Sequence, residues 1–152
     1  MKPNTYGFIK GFLDRLFAFI FIIIFTPFLL IISLLIYFNL GFPILFIQKR
    51  PGLNAKTFSL IKFRTMKIDF DENGNFKKDE LRQSKFGNWL RKTSFDELPE
   101  LINILKGDMS FVGPRPLLIE YLKFYNKKHQ KRHLVKPGIS GLAQINGRNS
   151  ID

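Results

Sequence analysis

The chain has 152 residues, enough for one domain, with 24 Lys+Arg against 12 Asp+Glu and a formal net charge of +12. That charge implies an anionic partner: nucleic acid, lipid head groups or phosphate-bearing small molecules. There is no cysteine, which excludes disulfides and thiolate metal sites.

The first element is "LFAFIFIIIFTPFLLIISLLIYF", Leu16 to Phe38, 23 residues without a charge. It is long enough to span a bilayer. It is too long for a signal-peptide core, and no small-residue cleavage site follows before Pro43. It also lacks the polar face of a soluble helix. Thr26-Pro27 lies near its middle. Proline donates no N–H to the preceding turn and crowds the carbonyl four residues back. In hydrocarbon that carbonyl needs another partner, for which the Thr26 hydroxyl is a candidate. Two readings follow: a kinked spanning helix, or a helix-break-helix that returns to the side it entered. Lys2, Lys10 and Arg15 precede the run, and Lys49, Arg50, Lys56, Lys62 and Arg64 follow it. Positive charge pulls both flanks toward the cytoplasmic side, which the returning path satisfies and a single span does not, but long domains can cross despite their charge, so charge alone leaves both readings open.

Asn39-Leu-Gly-Phe-Pro43 ends the membrane segment. Ile44–Gln48 and Thr57–Met66 then read as a small β-hairpin around a Pro51-Gly52 and Asn54 turn. "KIDFDENGNFKKDELRQS" reads as a mobile surface loop, and its acids lack the spacing of a calcium loop. "FGNWLRKTS" predicts a short amphipathic helix. "ELINILKG" predicts another, with Leu98, Leu101, Ile102 and Leu105 on one face and Gly107 as its C-cap. "LLIEYLKFYNKKHQKRH" predicts a third, with Leu118, Tyr121, Leu122 and Tyr125 on one side and a basic end. It suits either the plane of an anionic membrane or packing on the domain core. His129 and His133, four apart in that basic run, read as surface or membrane-facing residues rather than metal ligands.

The acid pair Asp96-Glu97 stands out in so basic a chain. Ser94 with Glu97 fits a capping box, but that start puts Pro99 where an N–H is needed. Asp96 as N-cap keeps Pro99 inside the first turn. Either way the acids sit at a helix mouth, where partial positive charge favours their ionised form. Such a pair can act as N-cap and first-turn acid only, or as nucleophile and divalent-cation ligand. Nineteen residues on, Arg115 stands between Pro114 and Pro116, rigidly displayed. A guanidinium grips phosphate through parallel hydrogen bonds, so the combination suits phosphoryl transfer.

"QKRPGLN", "FSLIKFRTM", "LRKTSFDELPELINILKGDMSFVGPRPL" and "KRHLVKPGISGLAQINGRN" occur in this order between Gln48 and Asn149. With them the chain resembles the bacterial sugar transferase family, the monotopic phosphoglycosyl transferases, and looks like its smallest members. The resemblance implies an α+β, mainly helical monotopic membrane protein. Its expected parts are a re-entrant helix-break-helix, a small β-hairpin and amphipathic interfacial helices. Residues 1–42 would form the N-terminal segment and membrane hairpin, and 43–152 a cytosolic, interfacial catalytic domain. Thr26-Pro27 would be the helix break.

The implied activity moves a sugar 1-phosphate from a UDP-sugar to polyprenyl (undecaprenyl) phosphate and releases UMP, with Mg2+ and a covalent phospho-sugar intermediate. It would begin glycoconjugate assembly at the inner membrane. Asp96 would be the nucleophile and Glu97 the Mg2+ ligand. Arg91 and Arg115 would bind phosphate, and Gln144 and Arg148 the nucleotide diphosphate. The family pattern continues past "NGRN", so relative to it residues 43–152 are expected to be an incomplete catalytic domain. The alternative expectation is an inactive membrane-bound fragment that binds anionic lipid or a partner enzyme. Nucleic acid is not an expected partner: the basic charge is spread along the chain and no recognition motif is present.

Overall fold

A computed structural model describes residues 5–146. The elements are helix α1 (Thr5–Leu40), strands β1 (Leu45–Pro51) and β2 (Thr57–Phe63), helices α2 (Asp79–Arg82), α3 (Lys85–Thr93) and α4 (Glu100–Lys106), strand β3 (Ser110–Val112), helix α5 (Lys127–Gln130), strand β4 (Gly138–Ser140) and helix α6 (Leu142–Ile145). This is the mixed, mainly helical content that the sequence predicts.

Helix α1 has 36 residues and carries Pro27 inside it. The expected break at Thr26-Pro27 does not interrupt the helix, because one missing N–H leaves the flanking turns intact. The helix is long and apolar enough to cross a membrane. Phe8, Ile23, Ile24, Leu30, Ile31 and Leu34 are each more than half exposed. So much exposed apolar side-chain surface on one helix suits association with a membrane.

The chain divides into two compact units, and the boundary within α1 falls between Ile23 and Ile24. Ile23 carries the carbonyl that loses its usual donor at Pro27.

The first unit takes α1 up to Ile23, Ile47–Leu60 and the chain from Glu100 onward. Its core joins Ala18 of α1, Phe58 and Leu60 of β2, Leu101 and Ile104 of α4, and Met109. The buried Asn103 amide donates to the Ser59 carbonyl (2.7 Å) and ties α4 to β2. Gly107, at φ 88°, ends α4 in the left-handed conformation expected of a C-cap. Beyond it β3 pairs in parallel with β4, with Ser110 opposite Gly138 and Val112 opposite Ser140.

The crossover between those strands is not the single amphipathic helix that the sequence suggests. It is a 3-10 stretch (Ile119–Phe124), then α5, then a second 3-10 stretch (Lys131–Leu134). Tyr125 is extended, and the Asn126 side chain accepts from the Lys128 and His129 N–H groups. An N-cap at that position restarts the helix.

The second unit takes Ile24–Phe46 and Ile61–Pro99. Its core joins Ile32 and Ile36 of α1, Phe63 of β2 and Leu90 of α3, with Phe28, Phe86, Phe95 and Leu98 packed around them. Ser84 caps α3 by accepting from the Gly87 N–H (2.9 Å). Gly87 lies against the Thr65 backbone, where a Cβ would collide with the Thr65 carbonyl. The predicted mobile loop is organised: Phe70 and Phe76 bridge and stack, and Asp71 accepts from the Asn73 and Asn75 N–H groups.

Buried Arg64 closes the C-terminal end of α1. Its guanidinium donates to the carbonyls of Leu40, Gly41 and Phe42. Those carbonyls have no donor within the helix, and hydrogen bonds to a charged donor are the stronger kind. Arg64→Met should therefore destabilise the second unit by about 2 kcal/mol or more, with Arg64→Lys restoring only part. Denaturant unfolding in detergent, followed by fluorescence of Trp89, the sole tryptophan, measures this. A midpoint unchanged in Arg64→Met would contradict the clamp.

Candidate active site

The acid pair lies in the second unit, in a 3-10 turn (Phe95–Glu97) rather than in the first turn of α4. Helix α3 ends at Ser94 in the left-handed conformation (φ 62°), which turns the chain. Ser94 makes no side-chain cap to the 3-10 turn. Pro99 follows that turn and precedes α4, so it separates two short helical elements instead of starting one. Phe95 packs edge-on against Phe28 (5.0 Å between centroids) and Trp89 (5.5 Å). With Leu98 also in the apolar cluster, both sides of the turn are anchored, and Asp96 is drawn down to 9% exposure.

Burial dominates the chemistry of Asp96. Its pKa is raised above the ordinary aspartate value, first by desolvation. Lys62 opposes this, the neighbouring Glu97 adds to it, and Arg91 and the residue's own N–H oppose it. The expectation that a helix mouth simply favours the ionised acid is thus corrected: loss of water outweighs the local positive charge. Lys62, from β2, pairs with Glu97 at 3.0 Å, both side chains being largely covered. Arg91 is exposed and anchored, with Nε donating to the Thr65 hydroxyl at 2.8 Å. Asp96, Glu97, Arg91 and Lys62 therefore form one cluster. Sequence reasoning missed Lys62; its signal is a lysine between the buried Ile61 and Phe63 in a strand.

The donors of the pair are hard carboxylate oxygens. That suits Mg2+, which takes one or two protein carboxylates and fills its other positions with water and phosphate oxygens. No group of three or more His, Cys, Asp or Glu forms a closed cage among the described residues.

Arg115 lies in the first unit, exposed, directly after β3 and Gly113. Its own carbonyl accepts from Arg132 Nη2 (2.8 Å), and the Pro116 carbonyl accepts from Arg50 Nη1 (3.4 Å). Arg50 also donates to Gln48 Oε1 (2.7 Å). The Arg50 pKa is lowered by burial and then by Arg115, while Glu100, Glu120 and Tyr121 offset part of this. Two guanidiniums held together this way favour an anion between or beside them. Gln144 uses its amide nitrogen on the Ile139 carbonyl, and its Oε1 is buried without a hydrogen-bond partner among the described residues. Arg148 lies outside the described residues.

The raised pKa of Asp96 has a sign. The folded state holds that proton more tightly than the unfolded chain. The favourable contribution is complete below the unfolded value of 3.8 and is lost as pH rises through the higher folded value. Asp96→Asn should accordingly be more heat-stable than the wild type at pH 7, and the gain should shrink toward pH 3.8. Melting followed by Trp89 fluorescence across that range decides it, and a variant less stable than wild type at pH 7 counts against the buried-charge account.

The bacterial sugar transferase family model matches residues 5–152. The uncharacterized sugar transferase EpsL of Bacillus subtilis is 51% identical over 143 residues, covering 91% of this chain and 71% of that protein. The UDP-glucose:undecaprenyl-phosphate glucose-1-phosphate transferase of Xanthomonas campestris is 36% identical, covering 96% of this chain but 31% of its own length. The UDP-N-acetylgalactosamine-undecaprenyl-phosphate N-acetylgalactosaminephosphotransferase of Aeromonas hydrophila is 39% identical over 95% of this chain and 36% of its own length. This chain therefore spans about a third of the length of each of these last two relatives. With the membrane helix, the acid pair and the Pro-Arg-Pro turn in place, the chain belongs to the bacterial sugar transferase family.

Proposed function

We propose that the chain is a phosphoglycosyl transferase that moves a sugar 1-phosphate from a UDP-sugar to undecaprenyl phosphate. The observation that carries this reading is buried Asp96, flanked by Lys62, Arg91 and Glu97. A carboxylate stripped of water and raised in pKa is a better nucleophile than a solvated one, and the two cations keep it ionisable.

Asp96 Oδ attacks the phosphorus bonded to the sugar. A P–O bond to Asp96 forms, the bond to the UMP oxygen breaks, and UMP leaves. An oxygen of the lipid phosphate then attacks the same phosphorus. The Asp96 ester bond breaks, which leaves a sugar diphosphate on the lipid and a free carboxylate. Arg115 and Arg91 hold phosphate oxygens, and Glu97 helps deprotonate the incoming lipid phosphate. Glu97, with Asp96 beside it, would hold Mg2+, which neutralises and orients the diphosphate when bound. Gln144 and Arg148 are assigned to the nucleotide diphosphate.

The acceptor fixes the setting. A polyprenyl phosphate leaves its bilayer only at great cost, so the site belongs at membrane level, facing the cytosol at the inner membrane, where UDP-sugars arrive. Thr26-Pro27 as a re-entrant turn serves this arrangement. One observation supports it: basic residues flank both ends of the apolar run; α1 itself runs unbroken through Pro27.

Purified chain with a panel of UDP-sugars, undecaprenyl phosphate and Mg2+ should release UMP. Asp96→Asn should lower release by about 10^3-fold or more, and EDTA should stop it. Full turnover in Asp96→Asn would remove the nucleophile assignment, and no UMP from any sugar would favour the inactive-fragment reading. The absence of native cysteine makes topology simple to test: Lys2→Cys and Lys49→Cys should both react with an impermeant maleimide from the cytoplasmic side only. Labelling from opposite sides would exclude the re-entrant path.

A further inference from the structure

The basic run at Lys127–His133 suggested a solvated or membrane-facing tip, yet its last two residues turn inward. Arg132 divides one guanidinium between two acceptors: Nη2 donates to the Arg115 carbonyl (2.8 Å) and Nη1 to the Tyr125 hydroxyl (3.3 Å). The next residue, His133, places Nδ1 at 3.0 Å from the Gly52 carbonyl. A carbonyl only accepts, so Nδ1 carries the hydrogen. The His133 ring stacks on Tyr125 (5.6 Å between centroids, 23° between planes). Gly52, Arg115, Arg132 and His133 share one small groove of the first unit.

Adjacent side chains thus grip two backbone segments: the Pro-Arg-Pro turn and the Pro51-Gly52 turn. Nothing about charge alone requires this. A basic residue meant for solvent would not use its donors on main-chain carbonyls. The fork of Arg132 reaches two acceptors with a fixed angle between them, which an ammonium cannot do. Pro114 and Pro116 fix φ at their own positions, and Pro116 also holds Arg115 in the extended region, but they do not tie this stiff turn to the rest of the unit. The bond from Arg132 to the Arg115 carbonyl anchors the turn.

We propose that Arg132 and His133 are positioning residues that aim Arg115 at a phosphate ligand, with Tyr125 as their shared support. The proposal rests on the reading of Arg115 as a phosphate binder. Neither residue touches the ligand: His133 acts through Gly52, and Arg132 through the Arg115 carbonyl.

The test is the affinity of the full chain in detergent for UDP, by calorimetry, together with the thermal midpoint of each variant. Arg115→Gln should weaken binding about tenfold or more. Arg132→Lys, which keeps the charge, should weaken it about five- to tenfold with little change in the midpoint. Tyr125→Phe removes only a hydroxyl and should cost about two- to threefold, which keeps the test alive if Arg132→Lys fails to fold. His133 gives the sharpest comparison. An asparagine amide nitrogen overlays Nδ1 and a glutamine amide nitrogen overlays Nε2, so His133→Asn should recover affinity and His133→Gln should not. Wild-type affinity in Arg132→Lys and Tyr125→Phe, with Arg115→Gln weakened, overturns the positioning role alone. Recovery by Gln and not Asn also overturns it, by making Nε2 a ligand contact. If Arg115→Gln binds UDP as wild type does, the phosphate reading of Arg115 falls first and takes this proposal with it.

Discussion

A carboxylate taken out of water must be surrounded by groups that replace the water, and Asp96 imposes that constraint on the second unit. Burial acts on it more strongly than any neighbouring charge, so the surrounding cations have to be placed accurately. The stretch "IKFRT" does much of this. Lys62 reaches Glu97, Phe63 enters the core, Arg64 closes the end of α1, and Thr65 receives Arg91. Alternation along a strand lets neighbouring residues serve opposite faces. Gly87 is needed because α3, which carries Arg91, lies directly on the Thr65 backbone. Neighbouring residues of one stretch therefore serve both the apolar core and the polar cluster.

The first unit meets a different requirement: it gathers like charges. Arg50 is disfavoured by burial and by Arg115, and only partly relieved by Glu100 and Glu120. Such an arrangement costs stability unless the guanidiniums are used as hydrogen-bond donors. Arg50 donates to Gln48 and the Pro116 carbonyl, and Arg132 to the Arg115 carbonyl and Tyr125. Main-chain and side-chain acceptors thereby take up the terminal nitrogens of Arg50 and Arg132, and Arg115 keeps the exposed position.

Local signals in the sequence translate well into this structure. The hairpin turn at Pro51-Gly52 and Asn54, the short helix around Trp89 and the Gly107 C-cap depend on neighbours within a few residues, and all are present. Failures arise where a pattern was compatible with helix but a single residue cut it. Asn126 splits the stretch from Leu118 to His133 by capping α5. Pro99 is a separator between the acid turn and α4, which capping rules alone could not choose. The acids themselves were legible as a pair, but their environment was not. Depth of burial follows from Phe95 and Leu98 joining a core with α1, a contact with no trace in local spacing. Lys62 and the inward turn of Arg132 and His133 were missed for the same reason: their partners lie 35, 17 and 81 residues away in sequence.

The apolar helix and the buried acid are connected through packing. Phe28 of α1 stands edge-on to Phe95, the residue before Asp96. Residues of α1 just beyond Pro27 thus help set the floor on which the acid turn rests. A helix held in lipid supplies a rigid apolar wall without needing the protein to bury both of its sides. Desolvation of Asp96, and with it the raised pKa, therefore draws on the packing of α1 beyond Pro27 against Phe95.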